Sequence, residues 1–157
     1  MDVYQKLSEL NMTLPNTPVK GGVYMPVKEF GCKLAYVSGC GPVIDDIITG
    51  KLGQEFTAEQ GVQFAKNCTL NILAALEAKI GDLKLVRDCV KLLVMVAGSD
   101  TFYQQSYVAN GASGLLADLF GEEIGTPSRS AIGVNALPGN IPVEVEALFE
   151  IASQDLV

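Results

Sequence analysis

The segment from Thr57 to Gly81 restricts the fold more than any other part of this 157-residue sequence, because it carries a complete set of helix signals. Thr57 and Gln60 form a capping box, in which side chains satisfy N–H groups that the first helical turn leaves free. Gly81 supplies the left-handed residue that commonly ends a helix. We therefore predict a helix over about residues 58–80, with an apolar face made by Val62, Ala65, Cys68, Ile72, Ala75 and Leu76.

Strand and helix patterns follow on both sides of this helix. Residues 85–96 are rich in Val and Leu and predict a strand that is buried on both faces in its later half. Residues 143–151 alternate, so one face carries Val143, Val145, Ala147, Phe149 and Ile151, and the other carries Glu144, Glu146, Leu148 and Glu150. The remaining predicted elements are helices over about 2–10 and 104–120 and strands over 22–27, 34–38 and 130–137.

This order of elements predicts an α+β fold with one mixed sheet and two helices packed on one of its faces. The turn at residues 137–140 suggests that the last two strands form a hairpin. We expect a single domain over residues 1–157, with residues 1–20 as an N-terminal extension. Leu148 lies between acidic residues on the second sheet face, which indicates that another subunit partly covers that face.

Charge and hydropathy exclude several classes of protein. Eleven basic and eighteen acidic residues give a net charge of −7, which makes nucleic acid a poor partner. The longest uninterrupted apolar stretch, residues 92–97, is far shorter than the roughly 20 residues of a membrane helix. The first residues show no basic segment followed by an apolar one, so we expect no signal peptide and a cytoplasmic protein.

The residue types available narrow the possible chemistry. Histidine is absent, so neither a Ser-His-Asp triad nor a histidine-ligated zinc site is possible. None of the four cysteines forms a CxxC pair, and we predict no bound metal. Cys68 and Cys89 lie among apolar residues, as core cysteines do, whereas Cys40 lies in a glycine turn. No basic residue adjoins Cys40, which disfavours a catalytic thiolate.

Three local features are candidates for a site, and each also has a purely structural explanation. Arg129 enters a predicted strand and could hold a carboxylate through two parallel hydrogen bonds, or it could be an ordinary surface arginine. Glu144 and Glu146 share one face, so repulsion could raise one pKa, although an acidic outer face is common in solvated sheets. The turn at residues 38–42 could present backbone N–H groups to an anion or could simply reverse the chain.

In their order along the chain, these features resemble the Rid/YjgF family, also called the L-PSP endoribonuclease family. The resemblance spans roughly residues 20–151, and its most specific part is the closing stretch from Arg129 to Ala147. The length of the lead-in and the residues between Asp100 and Asn110 are typical of a longer-chain subgroup. The matching motifs are Tyr24, Val37-Ser38-Gly39-x-Gly-Pro42, Asn71-Ile72-Leu73, Gly81-Asp82-Leu83, Asp100-x-Phe102, Asn110, Arg129-Ser130-Ala131, Leu137-Pro138 and Val143–Ala147.

The resemblance implies a chorismate-mutase-like fold and a homotrimer with a cleft at each subunit interface. It also implies hydrolytic deamination of 2-imino and enamine acids such as 2-aminoacrylate to 2-keto acids and ammonia, without a metal or organic cofactor. By the same resemblance, Arg129 binds the substrate carboxylate and Glu144 orients or activates water. The other expected substrate-binding residues are Tyr24, Ser38, Gly39, Asn110 and Ala131.

Three departures from the family pattern leave the range of substrates open. Ala131 stands where archetypal members often have Cys, Cys40 stands where Gln is usual, and Gly133 stands where Glu is frequent. We therefore keep two alternatives to a deaminase. One is a non-catalytic protein that binds small carboxylates in the same cleft. The other, less supported by the charge and the lack of histidine, is an endoribonuclease.

Overall fold

The structure is a computed structural model that describes residues 2–31, 33–46 and 48–152. It has the predicted α+β architecture, with one five-stranded sheet and two long helices on one of its faces. The helices are α1 (Val3–Glu9), α2 (Ala58–Ile80), α3 (Gln105–Phe120) and the short α4 (Glu122–Gly125). The strands are β1 (Val27–Phe30), β2 (Leu34–Cys40), β3 (Val86–Ala97), β4 (Ser128–Val134) and β5 (Val143–Ile151).

Helix α2 forms as its sequence predicts. The Thr57 side chain accepts from the backbone N–H of Gln60, and the Gln60 side chain accepts from the backbone N–H of Thr57. Gly81 ends the helix with φ of 87° and donates its N–H to the carbonyl of Glu77. The capping groups thus stop the helix at both ends, and its buried face forms the centre of the core.

The strand order is β1-β2-β5-β3-β4, and it corrects the prediction that the last two strands form a hairpin. Strand β5 lies between β2 and β3 and is antiparallel to both, whereas β4 is parallel to β3 at the edge of the sheet. The turn at residues 138–140 therefore carries the chain past β3 rather than into an adjacent strand. Local turn residues could not distinguish these two connections.

Three strand boundaries also differ clearly from the predictions. The strand expected at 34–38 continues through Gly39 to Cys40. The strand expected at 22–27 begins only at Val27, where pairing with Val37 starts, and it continues to Phe30. Residues 21–25 are exposed, and Pro26 has no N–H with which to extend the ladder. The strand expected at 130–137 spans Ser128–Val134, because its partner is β3, which pairs with it from Lys91 onward.

The sheet register assigns side chains to two faces, and this decides where the candidate residues lie. Alternating β5 residues from Val143 to Ile151 are buried, as predicted, and α2 packs against this strand. The second face carries Glu144, Glu146, Leu148 and Glu150, together with the exposed Tyr36 and Ile132. Cys68 and Cys89 are buried in the core, as predicted. No helix in the described part of the chain is long and apolar enough to cross a lipid bilayer.

Candidate functional site

Four of the predicted site residues line one cavity on the second sheet face. Its volume is about 410 Å³. Tyr24 comes from the segment before β1, Ser38 and Gly39 from the end of β2, and Glu144 from the start of β5. The cavity is lined by Gly21, Tyr24, Ser38, Gly39, Pro138 and Glu144. The structure therefore brings together residues that are up to 120 positions apart in the sequence, counted from Tyr24 to Glu144.

Hydrogen bonds fix the backbone segments that line this cavity. The Ser38 hydroxyl donates to the carbonyl of Met25 at 2.8 Å, and the Ser38 N–H donates to the carbonyl of Pro26 at 2.9 Å. The Tyr24 hydroxyl accepts from the N–H of Gly21 at 3.2 Å. A Cβ atom at Gly39 would collide with the Glu144 carboxylate in its present position, so glycine leaves room for that side chain here.

The Glu144 carboxylate is the reactive candidate in this group. It is half-buried, and within the described residues it has no hydrogen-bond or ion-pair partner. Burial raises its pKa above the ordinary value, and the negative charge of Glu146 on the same strand face raises the pKa further. A carboxylate with a raised pKa and free lone pairs is suited to accept a proton from water.

Cys40 is the last residue of β2 and is a poor nucleophile. Burial, and then the charge of Glu144, raise the pKa of its thiol to about 12. The Cys40 thiol lies 3.5 Å from the carbonyl oxygen of Ser38. At neutral pH the group is therefore a neutral thiol, in agreement with the expectation that it is not a catalytic thiolate.

Arg129, Asn110 and Ala131 form a second group on the opposite face of the sheet. Arg129 and Ala131 pair with Leu92 and Val94 of β3, so they point toward α3. One guanidinium nitrogen of Arg129, Nη1, donates to the Asn110 side-chain oxygen at 2.8 Å. Asn110 thus contacts Arg129 directly, and the structure joins two of the predicted substrate-binding residues.

Two further groups on α3 contact Arg129 and were not predicted. Nη1 also donates to the Ser113 hydroxyl at 2.9 Å, and Nη2 donates to the carbonyl of Ser106 at 3.3 Å. The sequence signal for the first contact is Ser113, which follows Asn110 by three residues and so shares its face of the helix. The second contact uses the backbone carbonyl of Ser106, which leaves no signal in the residue type. Within the described residues, no acidic side chain forms an ion pair with Arg129.

The two groups cannot act together within one chain. Glu144 pairs with Met95 and Arg129 pairs with Leu92, so β3 separates them and they lie three residues apart along it. By strand geometry their Cα atoms are roughly 14 Å apart. Their side chains also leave opposite faces of the sheet. A ligand small enough to fill one cavity therefore meets either Glu144 or Arg129 in a single copy, and not both.

The other cavities are lined by fewer side chains that could take part in a reaction. A cavity of about 560 Å³ lies between residues 13–19 and the loop at 43–45, where Asp45 is the charged residue of its lining. A narrow space of about 130 Å³ next to Ser38 and Gly39 is reached by Lys20 and Cys40. In the described ranges, no three His, Cys, Asp or Glu residues form a group that could hold a metal ion.

Comparison with known proteins identifies the family to which these features correspond. The family described as Endoribonuclease L-PSP matches residues 18–151. Protein TCP17 of Trypanosoma cruzi is 40% identical over 151 residues, covering 95% of this chain and 94% of that protein.

Solved structures extend this comparison to the fold. Atu1372 of Agrobacterium tumefaciens, a protein of unknown function, shares 37% identity with a TM-score of 0.86, over 95% of this chain and 92% of that chain. RidA of the Antarctic bacterium Psychrobacter sp. PAMC 21119 shares 26% identity with a TM-score of 0.58, over 87% of this chain and 94% of that chain.

Proposed function

This chain belongs to the endoribonuclease L-PSP family, which includes the Rid/YjgF proteins, and from that premise we propose that it hydrolyses 2-imino and enamine acids to 2-keto acids and ammonia. The site is a cleft between two copies in a homotrimer. One copy contributes Arg129, and the next contributes Tyr24, Ser38, Gly39 and Glu144. Asn110 and Ala131 belong to the side of the cleft that carries Arg129.

The observation that carries this proposal is the separation of two complementary groups. Arg129 has no acidic partner among the described residues, and Glu144 has no partner for its carboxylate there. Hydrolysis of an imino acid needs both residues, because Arg129 binds the substrate carboxylate and Glu144 activates the water. They lie on opposite faces of one sheet, so a second copy is needed to join them.

The chemistry needs few groups. An imine carbon is already electrophilic, and protonation of its nitrogen makes it more so. Glu144 accepts a proton from water while the water oxygen bonds to the imine carbon. Glu144 then returns that proton to the nitrogen of the carbinolamine. As the C–N bond breaks and ammonia leaves, Glu144 accepts the hydroxyl proton, so that the carbonyl forms, and it then releases this proton to solvent. Positioning of water and substrate supplies much of the rate increase, which suits a site without histidine.

RNA cleavage, the activity in the family description, has weaker support. The net charge of −7 opposes binding of a phosphate backbone. Arg129 donates to neutral oxygens of α3, and the residues beside it on β4 are uncharged. We therefore do not propose a ribonuclease.

A coupled assay tests the proposal. An amino-acid oxidase generates an imino acid from its amino acid, and semicarbazide traps the imine that survives. We expect this protein to reduce the trapped fraction and to release ammonia at a matching rate. An unchanged trapped fraction, with 2-oxobutanoate still bound in a titration, would instead support a non-catalytic carboxylate-binding protein.

A further inference from the structure

Arg129 is held against one face of α3 by three acceptors. Ser106, Asn110 and Ser113 follow one another at intervals of four and three residues, so they form a stripe along the helix. Nη1 of Arg129 donates to the Asn110 side-chain oxygen at 2.8 Å and to the Ser113 hydroxyl at 2.9 Å, and Nη2 donates to the Ser106 carbonyl at 3.3 Å. The stripe therefore fixes both the position and the rotation of the guanidinium.

The number of hydrogens decides which edge of the guanidinium is free. The group has five N–H donors, two on each Nη and one on Nε. Asn110 and Ser113 use both hydrogens of Nη1, and Ser106 uses one of Nη2. Within the described part of the chain, Nε–Nη2 is therefore the edge that retains a free donor on each nitrogen. A carboxylate matches two adjacent donors of this kind.

Ser113 is the acceptor best fixed by its own surroundings. Its hydroxyl donates to the carbonyl of Ala109 at 3.4 Å, which directs the hydrogen away from Arg129 and turns a lone pair toward it. Ser113 is half-buried between α3 and β4, whereas Asn110 is exposed. An exposed amide can rotate toward a ligand, but a serine tied to its own helix keeps one orientation.

We propose that Ser113 is a positioning residue, which holds Nη1 of Arg129 so that the Nε–Nη2 edge receives the carboxylate of the substrate side-on. This inference rests on the proposed function, because it concerns the same carboxylate. Ser113 does not touch the substrate and acts through Arg129 alone. The substrate class that follows is a small acid whose carboxylate is unhindered and can lie in the plane of the guanidinium.

Three variants test this inference kinetically. Ser113→Ala removes the acceptor, and Ser113→Thr keeps a hydroxyl that can still bond the carbonyl four residues earlier. We expect Ser113→Ala to raise KM about threefold to tenfold with kcat nearly unchanged, since one hydrogen bond to a charged group is lost equally from the ground and transition states. Ser113→Thr should restore KM. Ser128→Ala is the matched control, because the Ser128 hydroxyl donates to the backbone carbonyl of Val90 on β3 and does not contact the Arg129 guanidinium.

Nuclear magnetic resonance supplies a readout that a merely structural role would not change. The chain has two arginines, Arg87 and Arg129, so two Nε–H signals are expected, and Arg87→Lys assigns them. Sodium 2-oxobutanoate should shift the Arg129 signal in the wild type and in Ser113→Thr. In Ser113→Ala the same shift should require about threefold to tenfold more ligand. No shift at Arg129 in the wild type would overturn the inference, whatever the turnover.

A double-mutant cycle separates action through Arg129 from an independent effect. In an Arg129→Ala background, Ser113→Ala should not weaken the residual 2-oxobutanoate binding any further. A further loss as large as in the wild-type background would overturn the positioning role. If Ser113→Ala does not fold, Ser113→Cys preserves the size while offering only a weak acceptor.

The binding experiments also separate this inference from the proposed function. If the wild type shows no turnover but Ser113→Ala binds 2-oxobutanoate more weakly than the wild type, the deaminase proposal is wrong and the positioning role is supported. If the wild type turns over the substrate, and Ser113→Ala has the same KM and the same Nε–H titration as the wild type, the positioning role is wrong and the deaminase proposal is supported.

Discussion

At the scale of single residues, the charge of Glu144 lowers the free energy of unfolding at neutral pH. Its carboxylate is half-buried next to Gly39 and lacks a partner among the described residues, and burial followed by the charge of Glu146 raises its pKa. An acid with a raised pKa binds its proton more tightly in the folded state than in the unfolded state. Its ionisation at neutral pH therefore opposes folding, and the stability linked to this group is lost as the pH rises through its folded-state pKa.

Glu144→Gln should therefore abolish turnover without weakening the fold. At pH 7 we expect the free energy of unfolding to equal or exceed that of the wild type, because a neutral amide removes the burial penalty of the charge. The advantage should shrink as the pH falls toward the ordinary carboxyl value of 4.5. Urea denaturation at several pH values measures the stability, and a 2-oxobutanoate titration checks that binding is retained. A clear loss of stability at pH 7 would contradict the raised pKa.

The charge of Glu146 should be visible in the pH dependence of activity. If Glu144 is the base, catalysed turnover is lost as the pH falls through its raised pKa. Glu146→Gln removes the repelling charge but still accepts the hydrogen bond that the Tyr36 hydroxyl gives Glu146. The acid limb of kcat/KM should therefore move to lower pH, and only in part, because burial is the larger cause.

Glu150→Gln is the matched control for that experiment. Glu150 lies on the same face of β5 but at its far end, and it is not among the groups that raise the pKa of Glu144. Its replacement should leave the acid limb where it is. An acid limb that stays fixed in Glu146→Gln would show that another group is the base.

At the scale of secondary structure, helix α3 carries the hydrogen-bond acceptors of Arg129 and packs against α2. Gly111 lies at this crossing, where an added Cβ would overlap the backbone carbonyl of Val62. Gly114 lies on the same helix with no other atom near its Cβ position. Both glycines weaken α3 by intrinsic propensity, but only Gly111 allows the two helices to approach.

The two glycines should respond in opposite ways to alanine. Gly111→Ala should destabilise the protein by about 1–3 kcal/mol, because the methyl group meets rigid backbone rather than a flexible side chain. Gly114→Ala should stabilise it by up to about 1 kcal/mol through helix propensity. Denaturation of both variants at one protein concentration measures the difference. Equal effects of the same sign would mean that α2 and α3 do not cross at Gly111.

At the scale of the whole molecule, the sheet divides the candidate site into two halves that face different neighbours. Glu144 with Tyr24, Ser38 and Gly39 lies on the second face, and Arg129 lies on the side of α3. The second face also exposes Tyr36 and Ile132, which a neighbouring copy would cover in the proposed trimer. We therefore expect light scattering to give three times the monomer mass.

Mixing two inactive variants tests the division directly. Arg129→Ala and Glu144→Gln should each be inactive alone, because each removes one half of every cleft. After denaturation and refolding together in equal amounts, about a quarter of the wild-type activity should return, since random mixing in a cyclic trimer restores one interface in four. Refolded samples of each single variant are the controls. Without recovered activity in mixed trimers, the cleft could not be built from two copies in this way.

The sequence alone specifies the elements whose signals are local. The capping box and Gly81 determine helix α2, and strict alternation determines which β5 residues are buried. The resemblance of the stretch from Arg129 to Ala147 to the Rid/YjgF family also identified the family correctly. These signals succeed because capping, periodicity and turn conformation depend on residues a few positions apart, where chain connectivity keeps the partners close.

Only the tertiary structure decides how those elements meet. The sequence cannot show that β5 lies between β2 and β3, because strand order depends on pairings of distant segments that leave no local signal. That order puts β3 between the strands of Glu144 and Arg129, and the pairing register places the two side chains on opposite faces. Likewise, Ser113 of α3 contacts Arg129 only because β4 lies next to that helix, with Nη1 of Arg129 2.9 Å from the Ser113 hydroxyl oxygen. The residue types carry the chemistry, and long-range packing determines which of them can act on one ligand.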